Sequence, residues 1–266
     1  MLVEDVPVER VDLRGVDIAY RRKGEGPAVL FLHGLGFSGR WWPLHEKLAE
    51  QHDVIAIDLP GFGDSPQLER LRGLDDLVLV LAEFLDALGI NEVHLIGHSI
   101  GGWAAAEFAS FYPERVRSLT LITPLGLRVE GDTPVDLFRR TAESRLELFV
   151  GDRVEELFPS GDAEAQEEQL VLDYLDLTGF GRLAWNPRYD WKLEHRLGRF
   201  TKPALVIGAA DDRILPASHL AAYAGLLTGS RTAVIAGTQG RAADHGIVAQ
   251  EPESLAAEIT AFIGAN

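Results

Sequence analysis

Cysteine is absent from the 266-residue chain, and methionine occurs once. Without thiols, the chain has no disulfide, no thiolate nucleophile and no cysteine-ligated metal. Its apolar runs fall short of the ~20 residues that a helix needs to cross a bilayer. The first residues also lack the basic stretch and apolar segment of a signal peptide. We therefore expect a cytoplasmic protein.

Basic residues are scarce as well, with 25 Lys and Arg against 41 Asp and Glu, so the net charge is -16 at pH 7. A surface this acidic repels nucleic acid and anionic lipid headgroups. We expect a small-molecule substrate and neither a nucleic-acid nor a membrane partner. The sequence leaves the oligomeric state open.

Motifs for metals and cofactors are missing. The chain has no His-Glu-x-x-His or comparable ligand spacing. The Gly-Leu-Gly at residues 34–36 is an incomplete dinucleotide loop. We expect neither a cofactor nor a metal.

Apolar runs alternate with helical patterns along most of the chain, which is typical of an α/β protein with a mostly parallel central sheet flanked by helices. Residues 11–21 favour an opening antiparallel hairpin with its turn at 15–17. The remaining strands are predicted at 28–32, 54–57, 93–96, 118–122, 203–208 and 233–236, and helices at 43–51, 74–88 and 103–109.

The pattern changes between residues 124 and 199, where strand-like runs stop and apolar residues recur at helical spacing. We interpret this stretch as an inserted helical cap, with residues 1–123 and 200–266 forming the core domain. A cap at this place would roof a pocket at the carboxyl edge of the sheet. Phe37, Trp41, Trp42 and Trp185 could line that pocket, although large aromatic side chains more often belong to the core.

Ser99 lies in Gly-His-Ser-Ile-Gly at residues 97–101, between a predicted strand and a predicted helix. The flanking glycines allow strand and helix to pack closely, while the serine hydroxyl stands at the strand end. The helix N-terminus beside it offers N–H groups to an anionic intermediate. The pattern predicts a nucleophilic serine.

A serine nucleophile needs a base and an acid that orients the base. Of eight histidines, His245 is the best candidate, because it lies in a loop between the last strand and a C-terminal helix. The acid is expected after the strand at 203–208, at Asp211 or Asp212. The others receive structural or solvated interpretations: His94 within a strand, His98 turned away from the Ser99 hydroxyl, His33 as a hydrogen-bonding turn residue, His195 in a polar segment, and His45, His52 and His219 solvated in or beside surface helices.

Five segments in order resemble the α/β-hydrolase fold family over nearly the full chain. They are Leu-His-Gly-Leu-Gly at 32–36, Asp-Leu-Pro-Gly-Phe-Gly-Asp-Ser at 58–65, the serine turn at 97–102, Asp-Arg-Ile-Leu-Pro at 212–216, and His245 followed by Gln-Glu-Pro-Glu at 250–253. The chain order Ser, Asp, His is that of this family. The resemblance implies that backbone N–H groups of Leu35 and Ile100 form an oxyanion hole.

Two positions depart from the family pattern. The first is the position of the base. In the family pattern, counting forward from the last strand places the base at Arg241, whereas counting back from Pro252 places it at His245. Because arginine stays protonated, it cannot serve as a base, so we predict His245 and a loop insertion before it. The second position is the doubled aspartate: spacing from Gly208 favours Asp211, whereas the Arg-Ile-Leu-Pro that follows favours Asp212, which we predict as the acid.

The sequence thus predicts a carboxylesterase-like serine hydrolase that cleaves an ester or related acyl bond of a small, largely apolar substrate. Carbon–carbon bond hydrolases and lactonases use the same triad and stay open as alternatives. So does a non-catalytic ligand-binding protein on the hydrolase scaffold, which the insertion before His245 favours.

Overall fold

The computed structural model describes residues 6–185, 188–238 and 240–266. Within them, one sheet holds strands in the spatial order β1-β2-β4-β3-β5-β6-β7-β8. The strands are β1 Glu9–Asp12, β2 Asp17–Lys23, β3 Ala28–Leu32, β4 Asp53–Ile57, β5 Val93–His98, β6 Val116–Ile122, β7 Ala204–Ala209 and β8 Arg231–Ile235.

The sheet is mostly parallel. β1 and β2 form the predicted antiparallel hairpin, and β2 pairs antiparallel with β4. From β4 through β3 to β8, all neighbouring strands are parallel. The hairpin turn begins earlier than predicted, because Asp12 already pairs with Asp17. The central strand β5 is buried along its whole length, as expected for a strand covered on both faces.

Helices connect and flank the strands. They are α1 Pro43–Ala49, α2 Leu74–Ala87, α3 Ile100–Phe111, α4 Ala142–Val150, α5 Val154–Leu157, α6 Ala163–Ala184, α7 Leu193–Leu197, α8 Ser218–Leu226, α9 Ile247–Gln250 and α10 Pro252–Ile263. Proline occupies the first turn of α1 and α10, where its missing N–H costs no hydrogen bond. None of these helices, over the residues described, is long and apolar enough to cross a membrane.

The segment between β6 and β7 is the predicted helical insertion and carries α4 to α7. Its longest helix, α6, is capped at its N-terminus by Asp162, whose side chain accepts a hydrogen bond from the Ala165 N–H at 3.0 Å. Such a cap satisfies one of the free amides of a helix start. The division of the chain into a core and a cap domain stays a prediction.

Candidate active site

Ser99 occupies the turn between β5 and α3 with φ 56° and ψ -115°. Few non-glycine residues adopt this region, and the strain amounts to roughly 1–3 kcal/mol. Two backbone hydrogen bonds hold the turn in place. The Ser99 N–H donates to the Ile122 carbonyl at 2.9 Å, and the Leu125 N–H donates to the Ser99 carbonyl at 3.1 Å. The end of β6 therefore fixes the serine from both sides.

The glycines around Ser99 are required by close backbone approach. A Cβ on Gly97 would lie 2.6 Å from the carbonyl carbon of Gly101, and a Cβ on Gly101 would lie 2.5 Å from the carbonyl oxygen of His33. Neither approach is possible for a real side chain. The start of α3 thus packs directly on β5 and on the end of β3.

The structure brings Ser99, His245 and Asp212 together. His245 Nε2 lies 2.8 Å from Ser99 Oγ, and His245 Nδ1 lies 2.9 Å from Asp212 Oδ2 and 3.1 Å from Oδ1. Ser99 is 2% exposed and His245 is 0% exposed. Asp211 is exposed at the surface and takes no part in this chain of hydrogen bonds. Of the two candidate aspartates, the geometry therefore places Asp212 at the histidine.

The Asp212 carboxylate is held in its ionised form. Burial acts to raise its pKa, but electrostatic attraction to the His245 ring, their hydrogen bond and two amides outweigh burial, so the pKa lies below its usual value. The amides are those of Ile214 and Leu215, which donate to Oδ1 at 2.9 and 2.8 Å. An ionised Asp212 fixes the His245 tautomer with the proton on Nδ1, which leaves Nε2 free to accept from Ser99.

Close backbone contacts hold the segment before His245, where the sequence predicts a loop insertion. The Arg241 N–H donates to the Thr238 carbonyl at 3.0 Å, and a Cβ on Gly237 would collide with the Arg241 carbonyl. The Arg241 side chain points to the surface, where it forms an ion pair with Glu156 at 2.7 Å. The insertion therefore does not displace His245 from Ser99.

Three contacts hold the loop that carries His245. Asp244 Oδ1 accepts from Arg213 Nε at 2.6 Å, and the Asp211 N–H donates to the Ala243 carbonyl at 3.0 Å. On the other side, the Gly246 N–H donates to the Phe149 carbonyl at 2.7 Å. The loop is thus bound both to the segment after β7 and to α4.

The amides predicted for the oxyanion hole flank Ser99. Ile100 is the first residue of α3, so its N–H has no acceptor within the helix. On the other side, a Cβ on Gly34 would lie 3.0 Å from Ser99 Cβ, which shows that Gly34, the residue before Leu35, passes against the serine. Leu35 and Ile100 are both buried.

The prediction of solvated histidines on surface helices is wrong. His45, His52 and His219 are 2%, 5% and 0% exposed. His45 packs edge-on against Phe31, with ring centroids 4.5 Å apart. His219 Nε2 lies 3.1 Å from the Asp132 carbonyl oxygen. A short polar pattern does not show which face of a helix is turned to the core, and these faces are turned inward.

His98 is a neighbour of His245 that sequence reasoning set aside. Its Nε2 donates to the His245 carbonyl at 2.9 Å, and its ring lies 5.4 Å from that of His245. Burial, reinforced by the neighbouring His245, lowers the pKa of His98 to about 3, so its ring is neutral. His33 has the predicted structural role, because its Nε2 accepts from the Leu59 N–H at 3.0 Å and its Nδ1 donates to the Gly34 carbonyl.

A cavity of about 540 Å³ lies beside the candidate oxyanion site. Leu35 and Gly36 line it from the core, and α4, α5 and α6 line it from the insertion. Phe149, also in its wall, stacks on the His245 ring at 6.1 Å. One wall residue of this cavity, Phe149, therefore contacts the histidine.

A smaller cavity of about 210 Å³ lies on the other side and has a mostly apolar wall. Leu125 and Ile214 connect it to the site, because the former donates its N–H to the Ser99 carbonyl and the latter to Asp212. Its apolar lining includes Leu127, Val135, Leu137, Phe138 and Phe180.

The aromatic residues suggested as pocket liners do not line either cavity, so far as the described residues show. Phe37, Trp41 and Trp42 are buried in the core. Trp185 is 60% exposed and packs edge-on against Phe138. The same described part of the chain contains no group of three His, Asp or Glu side chains arranged to hold a metal ion.

A serine turn, a hydrogen-bonded histidine and aspartate, and a helical insertion in a mostly parallel sheet define the α/β-hydrolase class. A family model for the alpha/beta hydrolase fold matches residues 27–239. Because it covers most of the chain, the chain belongs to the α/β-hydrolase family of enzymes.

Known proteins of several activities resemble this chain. It is 35% identical over 226 residues to the dihydrolipoyllysine-residue acetyltransferase component of the acetoin cleaving system of Cupriavidus necator, across 78% of this chain and 58% of that relative. It therefore spans little more than half the length of that protein. It is 32% identical over 236 residues to the 2-hydroxy-6-oxo-6-phenylhexa-2,4-dienoate hydrolase of Comamonas testosteroni, across 80% of each chain.

Among solved structures, a membrane phospholipase A described as a bacterial virulence factor superposes with a TM-score of 0.82 and 26% identity. The match covers 98% of this chain and 86% of that chain. The shared fold thus extends over 98% of this chain.

Proposed function

We propose that the chain is a serine hydrolase that cleaves an ester or related acyl bond of a small, largely apolar substrate. The observation that carries the proposal is the pair of hydrogen bonds made by His245, at 2.8 Å to Ser99 Oγ and 2.9 Å to Asp212 Oδ2. This arrangement matches the geometry that activates a serine for acyl transfer.

In the proposed reaction, Ser99 Oγ attacks the substrate carbonyl carbon while His245 Nε2 takes the hydroxyl proton. The N–H groups of Leu35 and Ile100 bind the negative oxygen of the tetrahedral intermediate. The intermediate collapses to an acyl-serine, and the alcohol leaves with the proton from His245. Water, deprotonated by His245, then attacks the acyl carbon, and the second tetrahedral intermediate releases the acid as His245 returns the proton to Ser99 Oγ. Asp212 orients the imidazole and stabilises its charge throughout.

The smaller cavity supports a largely apolar substrate. The apolar cavity of about 210 Å³ suits an acyl or alkyl group. The wall of the larger cavity contains two guanidinium groups, Arg40 and Arg145, and four carboxylates, Glu143, Glu155, Asp173 and Asp176. Because the carboxylates outnumber the guanidinium groups, binding of a negatively charged substrate would be disfavoured there. The helical insertion would act as the cap that excludes water from both cavities.

Labelling with a fluorophosphonate tests the nucleophile. The wild-type chain should react at one site, and Ser99→Ala should not react. Ser110→Ala is a matched control, because Ser110 lies on the same helix with its hydroxyl bound to the Glu107 carbonyl at 2.8 Å, and it should label like wild type. An unlabelled wild-type chain would instead favour a ligand-binding protein on the hydrolase scaffold.

Ester hydrolysis tests the base and the acid. His245→Ala should lower kcat for a p-nitrophenyl ester by about 10³-fold or more. Asp212→Asn should cause a comparable loss, whereas Asp211→Asn should leave the rate within about twofold, because only Asp212 touches His245. Equal losses in the two aspartate variants would contradict the assigned acid.

A second candidate reaction is hydrolysis of a carbon–carbon bond beside a ketone. It is favoured by the 32% identity to the 2-hydroxy-6-oxo-6-phenylhexa-2,4-dienoate hydrolase, whose named substrate carries a phenyl ketone and a carboxylate. Measuring kcat/KM for that dienoate and for a set of p-nitrophenyl esters separates the two. A kcat/KM for the dienoate more than 100-fold above that for the best ester would replace the ester assignment.

A further inference from the structure

A buried carboxylate of the insertion contacts the core beside the candidate oxyanion site. Asp176 belongs to α6, and its side chain is buried. Its Oδ2 accepts from the Gly36 N–H at 3.1 Å, and its Oδ1 accepts from the Gly63 N–H at 3.1 Å. The Ser38 hydroxyl lies 2.8 Å from both oxygens. One side chain of the insertion thus binds two separate loops of the core.

The neighbouring turn of α6 lies directly on the same part of the core. A Cβ on Gly179 would lie 2.7 Å from the Gly61 carbonyl oxygen and 2.8 Å from the Phe62 ring. Since Gly179 follows Asp176 by three residues, the two positions share one face of the helix. The absence of a side chain at Gly179 therefore lets α6 approach closely enough for Asp176 to reach both amides.

The loop that Asp176 binds is the one that carries Leu35. Gly36 donates to the carboxylate, and Gly34, on the other side of Leu35, passes against Ser99. A displacement of Gly36 would therefore turn the Leu35 amide relative to Ser99. The direction of an oxyanion donor matters, since loss of a single donor lowers kcat by about 10²–10³-fold in acyl-transfer enzymes.

We propose that Asp176 is a positioning residue that holds the Leu35 amide toward Ser99 and so completes the oxyanion hole only when α6 is seated on the core. The catalytic part of this inference rests on the proposed function. It assigns a role to the segment at residues 58–65 as well, because that segment supplies the second amide and the surface on which α6 packs.

The carboxylate cannot be replaced by an amide without loss. Each Asp176 oxygen accepts a backbone N–H, whereas asparagine offers one oxygen and one NH₂ group. In Asp176→Asn, either the Gly36 or the Gly63 amide must therefore face a donor. The substitution keeps the size of the side chain and removes one acceptor.

The test compares Asp176→Asn with Glu168→Gln, which removes a carboxylate from an exposed position of the same helix. Hydrogen exchange measured by mass spectrometry, without substrate, should be at least about tenfold faster in Asp176→Asn for peptides covering residues 33–39 and 60–64. Exchange in β5 and β6 should be unchanged. In Glu168→Gln, all of these peptides should exchange as in wild type.

Ester kinetics complete the test. The kcat of Asp176→Asn should fall by about 10–100-fold while KM stays within about threefold, because the lost interaction acts on the transition state. Unchanged exchange at residues 33–39, or faster exchange with unchanged kcat, would overturn the proposal. If Asp176→Asn does not fold, Ser38→Ala replaces it, with an expected two- to fivefold change in the same two measurements and the same criteria.

The exchange experiment separates this inference from the proposed function. A wild-type chain that fluorophosphonate does not label would remove the proposed hydrolysis. The coupling of α6 to the Leu35 loop would still be decided by exchange alone.

Discussion

The guanidinium Nε of Arg213 lies 2.6 Å from Oδ1 of Asp244. Arg213 directly follows Asp212, and Asp244 directly precedes His245, so this ion pair joins the two loops that meet at the histidine. Asp244 is buried, whereas the Arg213 side chain is 45% exposed. Arg213 also donates through Nη2 to the Glu147 carbonyl of α4. One side chain thus binds the loop of Asp212, the loop of His245 and the insertion.

The unequal burial of this pair predicts unequal effects. Arg213→Gln leaves a buried carboxylate without its charge partner and should lower the free energy of unfolding by about 1–3 kcal/mol. Asp244→Asn keeps an acceptor for Arg213 Nε and leaves an arginine that water can reach, so its cost should stay below about 1 kcal/mol. Urea unfolding of both variants checks this order. Equal costs, or the reverse order, would show that the pair does not hold the loops.

The packing of the serine turn predicts that Gly101→Ala is strongly destabilising. The new Cβ would lie 2.5 Å from the His33 carbonyl oxygen, so α3 must move away from β3. We expect a loss of about 3 kcal/mol or more in the free energy of unfolding. Gly225→Ala in α8 is the matched control, because its Cβ meets no atom within 4 Å. That variant should be about 0.5–1 kcal/mol more stable than wild type. Thermal unfolding of the two alanine variants measures whether each is less or more stable than wild type.

The apolar cavity predicts a dependence on acyl chain length. Val135 is half-buried in the wall of the cavity of about 210 Å³, so Val135→Phe should fill part of it. We expect kcat/KM for p-nitrophenyl esters with long acyl chains to fall about tenfold or more, with the acetate ester within about threefold of wild type. Val154→Phe makes the same substitution in the wall of the larger cavity and should leave the order of chain-length preference unchanged. An identical response of the two variants would show that the acyl group does not bind in the smaller cavity.

Buried His45 predicts acid sensitivity. Burial lowers its pKa from 6.5 to about 3 in the folded chain. Between these values the unfolded chain binds a proton that the folded chain does not, so stability is lost as the pH falls through this range. His45→Gln should reduce the slope of unfolding free energy against pH by about 1.4 kcal/mol per unit between pH 4 and 6. Urea titrations at several pH values measure it. A variant slope equal to that of wild type would show that His45 is protonated in the folded chain.

Features set by neighbouring residues could be predicted from the sequence. The strand, glycines and helix around Ser99 are contiguous, and the turn they predict is present with the expected close packing. The central strands and the helical insertion were predicted for the same reason. Apolar runs and helical spacing within a segment indicate whether it is a strand or a helix.

Features set by distant residues were harder to predict. Choosing Asp212 over Asp211 depends on a histidine 33 residues away, and only the folded loops show which carboxylate meets it. The inward faces of His45 and His219 depend on what each helix packs against. Asp176 lies in a helix with apolar spacing, and its amide partners are 140 and 113 residues away. No local pattern indicates such a pairing.

The length of α6 gives its contact with the core a mechanical consequence. Asp176 lies thirteen positions after the first residue, Ala163, a distance of about 20 Å along the helix. Gln166, Gln169 and Leu170 on this arm line the cavity of about 540 Å³. Pivoting α6 by about 10° at Asp176 would swing Ala163 by about 3 Å, by the geometry of a rigid helix. The contact between Asp176 and the core therefore bears on the position of the cavity wall that this part of α6 forms.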